Sequence, residues 1–117
     1  WLARHAKVAL STWLANVAQQ TGLRYTDLAV KNQRTRWGSC TVHGRVSLNC
    51  KLLFLPRELV RYVIAHELCH TLESNHSSRF WAHLRQFEPA TDSLHGRIRD
   101  AWKFVPAWAQ RGSRTML

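Results

Sequence analysis

The central stretch of the chain, residues 57–73, reads RELVRYVIAHELCHTLE. Apolar residues recur along one face of it at helical spacing: Leu59, Val63, Leu68 and Leu72. Neither glycine nor proline interrupts the run, and Pro56 precedes it, where the first turn of a helix tolerates a missing amide hydrogen. The pattern therefore predicts a helix over residues 57–73 that buries one face against the rest of the chain.

A metal-binding pattern lies within this helix: His66-Glu67-Leu68-Cys69-His70, of the form H-E-x-x-H. Residues four apart on a helix lie nearly above one another, so the imidazoles of His66 and His70 face the same side. Two imidazoles placed in this way can share one Zn²⁺ at Zn–N distances of about 2.0–2.1 Å. Glu67 can lean over the metal and take a proton from a zinc-bound water. We therefore expect a zinc site with Glu67 as the general base.

A third histidine, His76, follows six residues after His70. On a continuing helix it would face away from the metal, because six steps of about 100° bring it to another face. We therefore expect the helix to break at residues 74–75, where asparagine tolerates a left-handed backbone. His76 would then complete a three-histidine site whose fourth position stays open to water.

Other interpretations of the third ligand remain open. Glu73 could bind the metal instead, although it would crowd the site from within the same helix. Glu88 could also bind, although it precedes a proline at what we expect to be an exposed helix end. The three histidines could also be ordinary surface or core residues, but their combined spacing favours a metal site. A purely structural zinc site would normally fill all four positions with protein ligands.

The flanking segments supply a small sheet and further helices. Alternating residues predict three strands around a turn at residues 43–44: residues 26–31, 35–40 and 45–49. Helical spacing predicts three more helices: residues 2–20, 78–87 and 91–103. This order predicts one α+β domain over residues 1–117, with a small antiparallel sheet packed on the helix of residues 57–73 and with flanking helices. The tail, residues 107–117, is expected to be loose.

Length and cysteine content limit the class of protein. The 117 residues suffice for one domain with a modest core, and 45% of them are hydrophobic. No apolar run approaches the roughly 18 residues of a membrane span, and no signal peptide is visible. The chain starts at Trp1, which suggests a processed or excised boundary.

The three cysteines, Cys40, Cys50 and Cys69, form no C-x-x-C pair, which favours a reducing compartment, the cytoplasm. We expect Cys69 to be a small buried residue.

The charge of the chain is strongly basic. Its formal net charge is +10, from 17 Lys and Arg against 7 Asp and Glu. Such an excess favours polyanions and predicts weak, sequence-nonspecific binding to nucleic acid. The alternative is a merely solvated surface, because the basic residues are spread along the chain with no compact tract.

Four motifs in order, over residues 36–81, carry a family resemblance. They are Arg36-Trp37-Gly38-Ser39-Cys40; Leu48-Asn49 with Leu53 and Pro56; Tyr62-Val63-Ile64-Ala65-His66-Glu67-Leu68-Cys69-His70; and Asn75-His76-Ser77 with Phe80-Trp81. Together they resemble the YgjP-like metallopeptidases, minimal zincins related in pattern to the SprT-like and WLM proteases.

The resemblance implies a minimal zincin-like fold with one zinc per chain on His66, His70 and His76, and with Glu67 as base. It also implies that the strand around residues 36–40 lies near the cleft, since in zincins an edge strand beside the active helix pairs with the substrate backbone. Candidate substrate-binding residues are Trp37, Gly38 and Ser39. Gly38 would allow close approach, whereas Trp37 could equally be a core aromatic.

One neighbouring class fits less well. The spacing from the H-E-x-x-H motif to His76 equals that of the metzincins. Their glycine at the turn is Glu73 here, however, and the only methionine is Met116, at the extreme end of the chain. The residue that stabilises the oxyanion stays open among Tyr62, His83 and several arginines.

The residues predict hydrolysis of peptide bonds by a water activated by zinc and Glu67. The partner is then a polypeptide substrate, and we expect a monomer with no membrane association. One rival is a zinc-containing module that docks on nucleic acid or protein with little catalysis. A second rival is zinc-dependent hydrolysis of a non-peptide amide.

Overall fold

The structure, a computed structural model, describes residues 2–114, without the side chains of Ala3 and of residues 111–114. Helices and strands follow one another in the order that the sequence predicts up to the fourth helix, and a further helix comes after it. They are α1 (Leu2–Thr21), β1 (Asp27–Lys31), β2 (Gly38–Cys40), β3 (Arg45–Asn49), α2 (Arg57–Leu68), α3 (Ser78–Phe87), α4 (Thr91–Ile98) and α5 (Ala107–Arg114). Short 3₁₀ turns lie between them at Cys50–Phe54, Cys69–Thr71 and Ala101–Phe104. The α+β class is confirmed.

Helix α1 lies along α2 and buries one stripe of side chains. The residues of this stripe are spaced three or four apart: Ala6, Leu10, Leu14 and Val17. Gly22 ends the helix at φ 76°, and its N–H donates to the carbonyl oxygen of Ala18 at 2.9 Å. The amphipathic pattern thus determines which face of α1 is buried, and Gly22 determines where the helix ends.

The three strands form a mixed sheet in the order β1-β3-β2, so the prediction of a purely antiparallel sheet is wrong. Strands β2 and β3 form the expected hairpin, with Gly44 in its turn at φ 89°. Strand β1 pairs in parallel with β3, with Leu28 opposite Val46. The parallel pairing arises because residues 32–44 cross from one edge of the sheet to the other, and β2 forms within that crossover. Strand β2 therefore lies at an edge, beside α2.

Asn49 anchors the loop that precedes β2. Its side chain is fully buried, and its Nδ2 donates to the carbonyl oxygens of Gln33 at 2.9 Å and Arg36 at 2.8 Å. Its Oδ1 accepts from the backbone N–H of Lys51 at 3.0 Å. The buried Lys51 also donates through Nζ to the Gln33 carbonyl at 3.0 Å. The carbonyl oxygens of Gln33 and Arg36 therefore accept hydrogen bonds from side chains instead of pairing with a neighbouring strand. For this reason β2 begins at Gly38 and is shorter than predicted.

Helix α2 crosses the centre of the molecule, with α1, β2 and α4 packed around it. Its buried residues occupy most of its circumference: Leu59, Val60, Tyr62, Val63, Ile64, Ala65, Glu67 and Leu68. The α-helix ends at Leu68, earlier than the predicted residue 73, and the 3₁₀ turn follows. Leu72, which we expected on the buried face, is 45% exposed because the helical register has already been lost.

The C-terminal part departs from the sequence prediction after helix α3. Helix α4 ends at Ile98, and the rest of the predicted helix forms the last 3₁₀ turn. The segment from Ala107, expected to be loose, forms α5, because Pro106 suits a helix start and Ala109 is buried against the core. Residues 115–117 of the predicted tail lie outside the described residues. None of the described helices is long and apolar enough to cross a membrane.

Candidate metal centre and cleft

Three histidines converge at the end of α2. One ligand nitrogen from each of His66, His70 and His76 lies within 4.8 Å of the others. His66 lies in the last turn of α2 and His70 in the 3₁₀ turn after it, while His76 lies just before α3. Neither Glu73 nor Glu88 joins this group among the described residues. The structure thus brings together the residues of the expected ligand set.

The turn that returns His76 differs in its backbone from our expectation. Leu72 N–H donates to the Cys69 carbonyl at 3.0 Å, which closes the 3₁₀ turn, and Glu73 N–H donates to the same oxygen at 3.1 Å. No described residue other than glycine has positive φ, so Asn75 is not in the left-handed region. The loop is fixed instead by Ser77, which caps α3 by accepting from the backbone N–H of Phe80. His76 is therefore held between a tightened turn and a capped helix.

Hydrogen bonds orient two of the three imidazoles. His70 Nδ1 lies 3.2 Å from the Glu73 carbonyl oxygen, an acceptor, so Nδ1 carries the hydrogen and Nε2 keeps its lone pair. His66 Nδ1 lies 3.3 Å from Glu67 Oε2, with the same consequence. Metal-binding histidines typically donate their second N–H to a carbonyl or carboxylate in this way. Both rings are therefore in the tautomer whose unprotonated Nε2 can bind a metal.

The two carboxylates that competed with His76 are engaged elsewhere. Glu73, whose side chain is partly buried, lies 3.8 Å from the exposed Arg79 in an ion pair. Glu88 pairs with Arg61 at 3.1 Å, which leaves its side chain only 16% exposed and not at an open helix end as predicted. Glu73 thus contributes its backbone carbonyl to the site, and Glu88 contributes nothing.

Glu67 is the buried carboxylate of the site. It is 7% exposed, and strand β2 passes directly beside it at Gly38. A Cβ added to Gly38 would lie 3.1 Å from Glu67 Cγ and 3.0 Å from the Ser47 carbonyl oxygen. Only glycine fits there without displacing a neighbour, so the close approach expected of Gly38 is present.

Aromatic rings flank the histidines on the α3 side, while His76 stays exposed. The ring of Phe80, which is fully buried, lies 4.7 Å from that of His70 and 4.8 Å from that of His76. Trp81 lies 5.9 Å from His66 and 5.8 Å from His76. Burial, followed by the nearby His66 and His70, lowers the pKa of His76 below its ordinary value. The neutral form, the one that binds metals, is thereby favoured.

A cavity of about 220 Å³ opens beside the histidines. Its walls are residues 35–38, the middle of α2 with Glu67, and α4 with His95. Trp37 belongs to this wall and also stacks on Trp102, with ring centroids 4.0 Å apart. Trp37 and Gly38 are therefore placed at the cleft, whereas Ser39 pairs with Ser47 in the hairpin and is not part of the wall.

His95 is the residue at this cavity that the sequence analysis missed. Its Nδ1 lies 2.7 Å from the hydroxyl of Tyr62, a residue of α2. Burial lowers the pKa of His95, and burial raises the pKa of Tyr62, so both stay uncharged at neutral pH. His95 stands outside every motif and only the packing of α4 on α2 reveals it. His83, an earlier oxyanion candidate, does not line the cavity.

Cys69, which lies within the H-E-x-x-H motif, is not a candidate metal ligand. Cys69 is fully buried, as expected. Burial, reinforced by the charge of Glu67, raises the pKa of its thiol to about 12. Metals bind the thiolate, so this neutral thiol does not compete with the histidines.

Comparison with known proteins identifies similar folds and the family of the chain. The fold resembles the crystal structure of the metallopeptidase zymogen abylysin of Pyrococcus abyssi, with a TM-score of 0.64 and 23% identity over 75% of this chain and 90% of that one. It also resembles the metallopeptidase zymogen jannalysin of Methanocaldococcus jannaschii, with a TM-score of 0.64 and 20% identity over 77% and 93% of the two chains. No functionally curated protein sequence matches significantly. The sequence profile of the YgjP-like metallopeptidase domain matches residues 1–101, and the chain therefore belongs to the YgjP-like metallopeptidase family.

Proposed function

We propose that this metallopeptidase depends on zinc, held as one ion per chain by His66, His70 and His76, and that Glu67 is its general base. The observation that carries the proposal is the convergence of three imidazole nitrogens within 4.8 Å, beside a carboxylate that is 7% exposed. Imidazole donors suit zinc well. Three protein ligands instead of four are typical of a catalytic zinc site.

The residues around this site divide the work of hydrolysis. When bound, zinc supplies Lewis acidity to the scissile carbonyl and to the attacking water. Glu67 accepts a proton from that water as its oxygen attacks the carbonyl carbon. As the C–N bond breaks, Glu67 returns the proton to the leaving nitrogen. Its burial beside Gly38 keeps the carboxylate in one place through both transfers.

The substrate is proposed to be a polypeptide bound along β2. This strand has a neighbour in the described sheet only on its β3 side, and it passes beside Glu67. An extended peptide could pair with its other edge, while Trp37 and the adjoining cavity receive a side chain. We further propose a reducing compartment, the cytoplasm, because Cys40, Cys50 and Cys69 are all free thiols. A monomeric state remains our expectation.

The direct test is digestion of a denatured proteome by zinc-loaded protein. New peptide N-termini would be identified by mass spectrometry, with and without a chelator and after zinc is restored. We expect termini that disappear with chelator and return with zinc. A digest indistinguishable from the blank would reject peptide hydrolysis and leave a docking role or a non-peptide amide as the activity.

A docking role on nucleic acid has one supporting observation. Five of the seven acidic residues are in ion pairs with arginine: Asp27, Glu58, Glu73, Glu88 and Asp92. Within the described residues, no carboxylate lies in ion-pair distance of Arg34 or Arg36, and both are exposed at the loop that borders the cleft. A polyanion could therefore approach the same face as a substrate.

A further inference from the structure

The contact between Tyr62 and His95 determines which nitrogen of His95 carries a hydrogen. Tyr62 is 1% exposed, and its hydroxyl has one hydrogen-bond partner in the described part of the chain, His95 Nδ1 at 2.7 Å. A buried phenol that accepted a hydrogen bond from Nδ1 would leave its own proton unsatisfied, which costs about 1–3 kcal/mol. Tyr62 therefore donates, Nδ1 accepts, and the hydrogen of the neutral imidazole lies on Nε2.

The second nitrogen of His95 is left available for a ligand. Nε2 has no hydrogen-bond partner among the described residues, and the ring lines the cavity beside His66 and Glu67. Two rings hold the imidazole in place: that of Trp81 at 5.0 Å and 77°, and that of His66 at 6.4 Å and 13°. His95 is not part of the group of three converging histidines, so its Nε2–H is not needed for a metal.

We propose that His95 is a catalytic residue that donates Nε2–H to the oxygen of the scissile carbonyl as that oxygen gains negative charge, and that Tyr62 is the positioning residue that keeps the hydrogen on Nε2. The proposal rests on the peptide hydrolysis proposed above and names a further residue for it. A fixed donor near the reacting carbonyl stabilises the developing charge without having to reorient during the reaction.

Other donors near the cavity fit this role less well. Arg36 lines the cavity but is exposed on the loop before β2, so holding its long side chain in one geometry costs conformational entropy. The hydroxyl of Tyr62 is already committed to His95. In His95, by contrast, Nδ1 is held by the hydroxyl of Tyr62, and Nε2 is available to a ligand in the cavity.

The kinetic experiment compares four variants with the wild type on one peptide found in the proteome digest. We expect His95→Phe to lower kcat by about 10²–10³ with little change in KM, because a single oxyanion donor is lost. His95→Gln keeps an N–H donor and should recover part of that loss. Tyr62→Phe should lower kcat by about tenfold to a hundredfold. His83→Phe is the matched control and should behave as the wild type, and zinc content is measured for all variants.

Two readouts do not depend on activity. Long-range ¹H–¹⁵N spectra of the zinc-loaded protein should show His95 protonated at Nε2 and unprotonated at Nδ1, and Tyr62→Phe should lose this preference. N-phosphoryl-Leu-Trp, whose anionic tetrahedral phosphoryl group mimics the charged oxygen, should bind more weakly to His95→Phe than to the wild type by about tenfold or more. The unphosphorylated Leu-Trp peptide should bind both proteins equally.

The outcomes separate this proposal from the proposed function. An inactive wild type would reject peptide hydrolysis, while probe binding and the tautomer would still decide the role of His95. An active wild type with an unchanged kcat in zinc-replete His95→Phe would overturn the role of His95 alone. Equal probe affinity in both proteins, or a hydrogen found on Nδ1, would overturn it as well.

Discussion

Gly38 and Glu67 lie in contact across the boundary between the edge strand β2 and helix α2, and a Cβ on Gly38 would stand 3.1 Å from Glu67 Cγ. We expect Gly38→Ala to displace the carboxylate by a few tenths of an ångström and to lower kcat by about tenfold to a hundredfold, because small misplacements of catalytic groups are costly. Zinc content should not change. The measurement is steady-state kinetics with metal analysis.

Gly96→Ala is the matched control for that variant. A Cβ at Gly96, in α4, would meet nothing within 4 Å. This change should leave kcat unaltered and raise the free energy of unfolding by about 0.5–1 kcal/mol, because alanine favours a helix over glycine. Equal activity in the two variants would show that the contact between Gly38 and Glu67 does not position the base.

Glu67→Gln should retain zinc and fold but lose hydrolysis. The amide has nearly the shape of the carboxylate but cannot accept a proton at neutral pH. Cleavage of the digest-derived peptide is measured beside zinc content and the thermal midpoint. Glu73→Gln is the control, since its carboxylate is paired with Arg79 and only its backbone touches the site. Wild-type turnover by Glu67→Gln would remove Glu67 as the base.

His76→Ala should purify largely without zinc, whereas the wild type should carry one zinc per chain. Loss of one of three ligands removes most of the affinity of the site. Glu73→Ala keeps the backbone carbonyl that orients His70, and Glu88→Ala lies outside the site, so both should keep their metal. Elemental analysis after zinc-supplemented expression decides the matter. A zinc-free Glu73→Ala beside a zinc-replete His76→Ala would reverse the assignment.

Cys40 should be alkylated slowly in the native protein, with a rate that still rises at pH 10. Burial, reinforced by the charge of Glu67, raises the pKa of its thiol from 9.0 to about 11, and only the thiolate reacts. Because the folded pKa is the higher one, this group's contribution to stability is fully present below pH 9 and is lost as the pH rises towards 11. Peptide mapping after iodoacetamide treatment measures the rate. A plateau near pH 9 in the folded protein, as expected after unfolding, would contradict the shift.

Binding to DNA should be weak, independent of sequence and strongly reduced by salt. The motivation is the net charge of +10 with exposed Arg34 and Arg36 beside the cleft. Counterion release makes such binding fall steeply between about 50 and 200 mM salt. Gel retardation of duplexes of two unrelated sequences tests it, with Arg34→Gln/Arg36→Gln as the variant and Arg4→Gln/Arg24→Gln, with equal loss of charge, as the control. No retardation at low salt would remove the nucleic-acid hypothesis.

The sequence predicted the parts of the site that depend on local periodicity. The spacing of His66 and His70 predicted that their imidazoles face the same side, although His70 lies in the 3₁₀ turn after α2, and Ser78 begins α3 at the predicted residue. Strand partners and helix faces depend on tertiary packing instead. The parallel pairing of β1 with β3 and the position of His95 against Tyr62 therefore had no signal in any single segment. The prediction that Leu72 is buried was wrong because a 3₁₀ turn changes the register of the residues beyond it.

The length of β2 has a consequence for selectivity. The strand has three residues, Gly38–Cys40, and spans only about 10 Å at 3.3 Å per residue. A ladder this short can hold about three residues of a partner and reads their backbone, not their side chains. It requires those residues to be already extended and detached from any sheet or helix of their own. An enzyme built in this way would discriminate between conformational states, cutting chains that have lost their structure and sparing the same sequence when it is folded.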